Sequence, residues 1–450
     1  MPDTKSTEGH LSGTLMPAAS IQTSWLDQDI TARRALFIAG SIGFAYAILL
    51  LHVSAISGDT PFWHYAKGLI GSALDIRNTL SGYWWFVLDR WRWPLLAITA
   101  PNWPQGANAE RFDIVPVVAL LGKVFYTVTG QVANPYPWWV TGCFTLNAAA
   151  LCSLVRGLGQ RGLLAAVTAG AFGAMVPFVQ ARFGHLALMA HWLPIFMLSW
   201  YFHRPEKPAE WTGILALCAL ATAVHPYLYV MTAAIATAIF LQATMDKRCT
   251  VRLGAVAIVG ILAAGIITGW TLGIFQEKDL GDITGDYRRY SMNLLSPLWP
   301  QTSGLFGWTG IYWLNRGMIG ATPGQYEGFS YLGFGGVLLL AVAAAIYWRS
   351  FFHSLHNHYA LIAVLLALLT WSLTDRIYLG DRLVMSYEMP QLLANAALSW
   401  FRSCGRLFWP LAWLIYACSI AGIAAKAKRG PMLGFLLAAL LIQWIDVAPW

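Results

Sequence analysis

Asp59 stands just past 22 residues, Ala35–Ile56, that carry no formal charge. A carboxylate at the edge of such a run is costly to desolvate, so it is a candidate for a catalytic role, against that of a capping or structural carboxylate. His64 follows it closely and Trp93 sits in the stretch WRWP, imidazole and aromatic groups suited to lining a substrate pocket. A second carboxylate, Asp113, opens the stretch DIVP. Cations gather further along. ARFGH sets Arg182 near His185, a guanidinium beside an imidazole, which suits the oxygens of a phosphate. DYRRY supplies Arg288 and Arg289, and CGRLFWP supplies Arg406, which completes the expected phosphate-binding set with Arg182 and His185. His191 and His225 join His64 and Trp93 in the expected pocket, although a lone histidine in an apolar run more often hydrogen-bonds between packed helices. One carboxylate facing several cations fits a phosphorylated lipid ligand.

Apolar helices must hold these residues. The chain has 450 residues, 57% hydrophobic and 11% charged, with a mean hydropathy of +0.54. A soluble domain carries about 25% charged residues, so this chain cannot coat a globule with polar surface. We expect an all-α, polytopic transmembrane bundle of about 11 spans. The runs are 35–56, 137–155, 163–180, 186–202, 211–224, 227–245, 253–275, 329–348, 359–374, 407–425 and 431–446. A net charge of +8 does not point to nucleic acid, because the positive residues form short clusters between apolar runs. Six cysteines without a CxxC or paired spacing imply neither a disulfide framework nor a zinc site.

Residues 1–32 are polar and are expected to form a disordered cytoplasmic tail, followed by one transmembrane domain over 33–450. Ala35–Ile56 is long enough to be a permanent helix, not a cleaved signal. With Arg33 and Arg34 inside, alternate loops are basic: Arg156 and Arg161; Arg204 and Lys207; Lys247, Arg248 and Arg252; Arg349; Lys426, Lys428 and Arg429. This alternation holds only if 112–130 lies along the interface without crossing, a position that suits its Asp113, Pro116 and Lys123. Three long external loops result: 57–136, 276–328 and 375–406. They hold thirteen of the twenty-one acidic residues, so chemistry belongs on that face. The chain stops four residues after Asp446, close to a helix end, from which a further external portion is expected. Two signals are set aside. DQD at Asp27–Asp29 has no nucleotide-binding domain behind it, and His353, His356 and His358 lack carboxylate or cysteine support for a metal.

The set Gly58-Asp59, His64, Trp91-x-Trp93-Pro94-Leu95, Pro104-x-Gly106, Asp113-x-x-Pro116, RFGHLAL, YEGFSYLG and GRLFWP, with the basic turns RGLGQRG and HRPEKP, resembles a bacterial branch of the GT-C class of integral-membrane glycosyltransferases. The likeness runs from residue 33 to about 446 and implies a GT-C-like bundle whose large first external loop carries juxtamembrane helices. It also implies inverting transfer of a sugar from a polyprenyl-phosphate-linked donor to a hydroxyl on a glycan, lipid or protein acceptor. Asp59 would be the base and Asp113 the second carboxylate, an acceptor binder or alternate base, while the basic set would stabilise the leaving phosphate. The site would face the periplasm from a bacterial inner membrane, among membrane lipids. Asp59 is followed here by Thr60 where the class usually has an acidic pair, so a divalent metal, Mg or Mn, enters only as an option. Alternatives left open are a transporter or flippase for lipid-linked or small polar substrates, and an O-antigen-type polymerase or ligase.

Overall fold

The computed structural model describes residues 28–57, 72–275, 284–300, 303–308, 320–355, 357–390, 401–426 and 430–448. Asp59 and His64 lie outside the described residues. In chain order the helices are α1 (Ala32–Ser57), α2 (Ser72–Leu88), α3 (Pro116–Thr129), α4 (Tyr136–Gly157), α5 (Leu163–Ala174), α6 (Pro177–Gln180), α7 (Trp192–His203), α8 (Pro208–Val224), α9 (Pro226–Met245), α10 (Val251–Leu272), α11 (Thr284–Arg289), α12 (Gly304–Trp308), α13 (Phe334–Leu355), α14 (Tyr359–Leu373), α15 (Trp409–Lys426) and α16 (Gly430–Val447). Helix is what apolar runs require away from water, because each backbone N–H and C=O then pairs within its own segment.

Among the described residues, six segments are long and apolar enough to cross a membrane: Ala32–His52, Tyr136–Gly157, Leu163–Gln180, Pro226–Met245, Val251–Leu272 and Cys404–Ala425. The runs at 211–224, 329–348, 359–374 and 431–446 coincide with shorter apolar helices, and 186–202 with the 12-residue α7, so about 11 crossings are not reached on length and hydropathy alone. Pro177 explains one interruption. It has no N–H to continue α5 and starts α6 at its own N-terminus.

Hydrogen bonds sort the helix ends into two poles. At the first, the Ile30 N–H bonds to Arg161 O at 3.2 Å, which ties residues just before α1 to the α4–α5 turn. Gly157, at the end of α4, lies against Phe202 of α7. Tyr201 OH is 3.2 Å from His358 Nδ1 and donates to Gln242 Oε1 at 3.3 Å, which adds the end of α9 and the start of α14. Basic loops expected on one face are thus gathered at one end of the bundle.

The helix α3 begins and ends at the second pole. Asp113, just before it, meets His185, and Trp139 in the first turn of α4 donates its indole N–H to Leu186 O at 2.8 Å. Fourteen residues cover only about 21 Å. It does not run between the poles, in keeping with the alternation of basic loops. Its outer face carries Leu121, Val124, Phe125 and Val128 at helical spacing, all exposed, the stripe of a helix lying along an interface. Two antiparallel hairpins depart from an all-α fold: β1 (Ala97–Ile98) with β2 (Ala107–Asn108), and β3 (Arg376–Leu379) with β4 (Arg382–Ser386).

Candidate functional site

Local chemistry positions Asp113. Asn108 caps the short 3-10 turn Ala109–Phe112: its Oδ1 accepts from the Glu110 N–H and its Nδ2 donates to Leu272 O, each at 2.9 Å. The turn is thereby fastened to the end of α10. Asp113 ends it in the left-handed region, at φ 55°, a conformation that Asp tolerates because its short side chain bonds locally. Gly82 of α2 admits the turn, since a Cβ there would lie 2.2 Å from Phe112 Cβ. On the same side of α2, Thr79 Oγ1 donates to Asp113 O at 3.4 Å, and Asp75 is one helical turn before it.

The partners come from far along the chain. Asp113 Oδ2 is 2.7 Å from His185 Nδ1, and His185 Nε2 is 3.9 Å from Glu327 Oε1. Glu327 Oε2 accepts from Arg182 Nη1 at 2.7 Å, from Arg406 Nη2 at 2.8 Å and from Arg406 Nε at 3.1 Å. Glycine lets this triad form: Gly328 follows Glu327, Gly405 precedes Arg406, and a Cβ on Gly405 would lie 2.6 Å from Gly328 Cα. Tyr227 completes the wall. Its OH accepts from the Ser403 N–H at 2.6 Å and its ring lies 5.1 Å from Arg406 Cζ.

The site has a buried floor and an open edge. Arg182, Glu327 and Arg406 side chains are under 10% exposed, whereas His185 is 27% and Asp113 41% exposed. Burial opposes ionisation of Glu327, but Arg406 and Arg182 outweigh it and hold its carboxyl well below the usual carboxylate range. Asp113 follows the same logic: desolvation raises it, and the His185 hydrogen bond and charge, with His225 and Arg406, bring it below its ordinary value. Asp75 goes the other way. Desolvation raises it against the pull of His185, and Asp113 and Glu327 add to the rise. Burial pushes His225 down to about 3, so it is neutral, and its Nδ1 accepts from the Tyr227 N–H at 3.2 Å, which leaves the proton on Nε2.

Four expected residues are brought together: Asp113, Arg182, His185 and Arg406, with His225 close enough to act on Asp113. Arg182 and Arg406 are committed to Glu327, so they are not a vacant clamp. Arg288 is held by Asp375 through Nη2 at 2.5 Å and Nε at 3.0 Å. Arg289 is exposed, its guanidinium 5.5 Å from the Tyr290 ring at the rim. Two pocket residues stand elsewhere. Trp93 meets Trp270 edge-on at 5.0 Å, where the first long loop docks on the end of α10. His191 is fully buried behind the triad, accepting from the Trp413 indole N–H at 3.0 Å, with Trp409 between it and Arg182. Glu327, the hub, and Asp75 are the functional candidates that residue typing passes over. Glu327 lies within the quoted YEGFSYLG, but nothing local assigns it a role. Among the described residues, no group of three or more His, Cys, Asp or Glu is disposed to hold a metal.

Residues 40–448 match the family described as a domain of unknown function (DUF6311). No curated protein and no solved structure matches the chain.

Proposed function

The chain belongs to the DUF6311 family, and from its site we propose a membrane glycosyltransferase that moves a sugar from a polyprenyl-phosphate donor to an acceptor hydroxyl. One observation carries this reading: the Asp113–His185 pair, 2.7 Å apart, stands open over a buried Arg182–Glu327–Arg406 triad. Asp113 is ionised and anchored by His185. It takes the acceptor proton as the hydroxyl oxygen bonds to the anomeric carbon, and the bond from that carbon to the phosphate oxygen breaks with its electron pair leaving on phosphate. Displacement in one step inverts the anomeric centre. Two guanidiniums share one carboxylate, so the floor is net positive and pre-oriented to stabilise the departing phosphate. His225, neutral, offers a hydrogen bond without adding charge. The basic pole belongs in the cytoplasm by the positive-inside rule, which sets this site at the periplasmic face of an inner membrane with α2 and α3 as juxtamembrane helices.

The test is donor consumption in lipid nanodiscs over a panel of polyprenyl-phosphate sugars, with glycan, lipid and protein acceptors added. Asp113→Asn is expected to lower turnover by about 10²–10⁴-fold and to leave the helical content intact. A comparable loss in Asp59→Asn alone would move the base to Asp59. Turnover of no donor with any acceptor would reject the assignment.

A further inference from the structure

The pole opposite the candidate site holds a second constellation. Where α7 and α9 end and α14 begins, Tyr201, Arg204, Ile239, Gln242, Arg248 and His358 line a cavity of about 10 Å³, room for one water-sized atom. Its acceptors are already used. Gln242 Oε1 accepts from Tyr201 OH and from the Ala360 N–H, each at 3.3 Å, and Gln242 Nε2 donates to Asp246 Oδ1 at 2.9 Å. Arg248 Nη2 donates to the other oxygen of Asp246 at 3.2 Å. Arg248 Nε, on the same edge of the guanidinium, is buried without a hydrogen-bond partner. Buried donors are rarely left so. Arg204 is exposed, and its charge reaches Asp246 without a hydrogen bond. It stands directly after α7 in the left-handed region, at φ 54°, where helices usually end on glycine. Two guanidiniums thus share one carboxylate, which leaves the cavity wall net positive.

We propose that this cavity is a phosphate-binding site: one phosphate oxygen enters it and accepts from Arg248 Nε–H, and the oxygens left outside meet Arg204. Guanidinium N–H groups match phosphate oxygens in geometry and charge. Phosphate is tetrahedral, so it reaches the rim while filling the cavity, which a monatomic anion cannot do. Two sources share this chemistry, the headgroup of an anionic phospholipid and free phosphate from the aqueous side. The level suits the first. Gln242 lies in the last turn of α9, and Pro226–Met245 is long and apolar enough to cross a membrane, so the cavity lies where headgroups gather at the basic pole. Occupied, the site ties the ends of α7 and α9 to the start of α14. It stands away from Asp113 and does not depend on the transfer reading.

The full chain, purified in detergent and stripped of lipid, is titrated with phosphatidylglycerol in mixed micelles and, separately, with sodium phosphate. Diacylglycerol and sodium chloride of equal ionic strength are the phosphate-free controls. Melting temperature is the readout, and native mass spectrometry follows bound lipid. A phosphate-bearing ligand is expected to raise the melting temperature above its control. Arg204→Gln and Arg248→Gln should each weaken that binding at least about tenfold, the loss of one charge-assisted hydrogen bond. Arg252→Gln removes the same charge from the exposed first turn of α10 and should leave binding unchanged. Stabilisation by phosphatidylglycerol alone supports a lipid headgroup site, by sodium phosphate alone a site for soluble phosphate, and by both a site for the group from either source. No stabilisation beyond the controls would overturn the proposal and leave the cavity to water. Stabilisation that Arg204→Gln and Arg248→Gln weaken no more than Arg252→Gln would overturn it too, since phosphate stabilises proteins generally and a basic face attracts any anion. If Arg248→Gln does not fold, Arg204→Gln, at an exposed position, decides by the same comparison.

Discussion

Glu327 holds two buried guanidiniums with one carboxylate oxygen. Removing its charge strands both cations, and breaking a buried pair by deleting one partner costs roughly 3–5 kcal/mol. Glu327→Gln is therefore expected to lose stability on that scale at pH 7 in detergent melting. The sign with pH follows from the depressed carboxyl: its contribution is complete above the unfolded value near 4.3 and is lost progressively as pH falls from there toward the much lower folded value. Wild type and variant should converge on acidification. A gap that does not narrow at all between pH 6 and pH 3 would mean that the loss is of packing rather than charge. Lys123 offers the opposite case. It is 1% exposed, 4.1 Å from the Phe86 ring centre and 5.0 Å from that of Trp91, and it donates to Arg90 O at 3.2 Å. Burial lowers it to about 8, so the unfolded chain binds more protons between there and about 10.4, and stability rises with pH across that window. Lys123→Met is expected to match or exceed wild type at pH 7, with its advantage shrinking on the order of 2 kcal/mol by pH 10. A difference that does not change with pH would refute the buried-charge account. Of the site, Asp113, Arg182, His185 and Arg406 are legible in the sequence, because each charge stands where an apolar run ends. Glu327 is not, since its meaning comes from arginines 145 and 79 residues away that only the fold brings to it.

At the scale of elements, the approach of α2 to the Asp113 turn decides whether the base is in place. Alanine in a helix interior is normally better than glycine by about 0.5–1 kcal/mol, but the added Cβ at position 82 would fall 2.2 Å from Phe112 Cβ. Overpacking of that kind costs about 1–3 kcal/mol and outweighs the propensity gain. Gly82→Ala should therefore lower the melting temperature modestly and reduce donor turnover far more, because Phe112 and Asp113 must shift together. Full activity in that variant would show that the turn tolerates displacement and that its geometry does not set catalysis. The helices themselves are readable from apolar runs bounded by Gly, Pro and charge, and the alternation of basic loops is in keeping with an α3 that returns to its own pole. Interruptions are less so. Leu163–Gln180 reads as one continuous run, yet Pro177 divides it into α5 and α6 and sets the short connection that presents Arg182 and His185. Trp93 misleads for a related reason: its type suits a pocket, but the β1–β2 hairpin beside it is anchored to the end of α10.

At the scale of the whole molecule, everything turns on α3 returning to the pole from which it started. If it crossed, every later loop would change sides, and the residues around 323 would be separated by a bilayer from those around 102. The structure joins them instead, since the turn that begins α3 contributes Asp113 to the cluster that contains Glu327. The proposed membrane topology rests on charge: the end that collects Arg156, Arg161, Arg204 and Arg248 is expected in the cytoplasm. Labelling of single introduced cysteines with a membrane-impermeant maleimide in spheroplasts reads this directly. Five of the six native cysteines are buried and Cys418 is half-buried, which keeps the background low. Asn102→Cys and Pro323→Cys, both on exposed positions of the site pole, should label in intact spheroplasts. Arg161→Cys and Lys247→Cys should label only after permeabilisation. Were 102 and 323 to fall on opposite sides, α3 would have to cross and the site could not assemble in the membrane as described. Were all four reversed, the cluster would face the cytoplasm, where soluble nucleotide-sugars are at hand, and a lipid-phosphate donor would lose its rationale. The expected pattern instead leaves the site where the only activated sugars within reach are those carried by the bilayer itself.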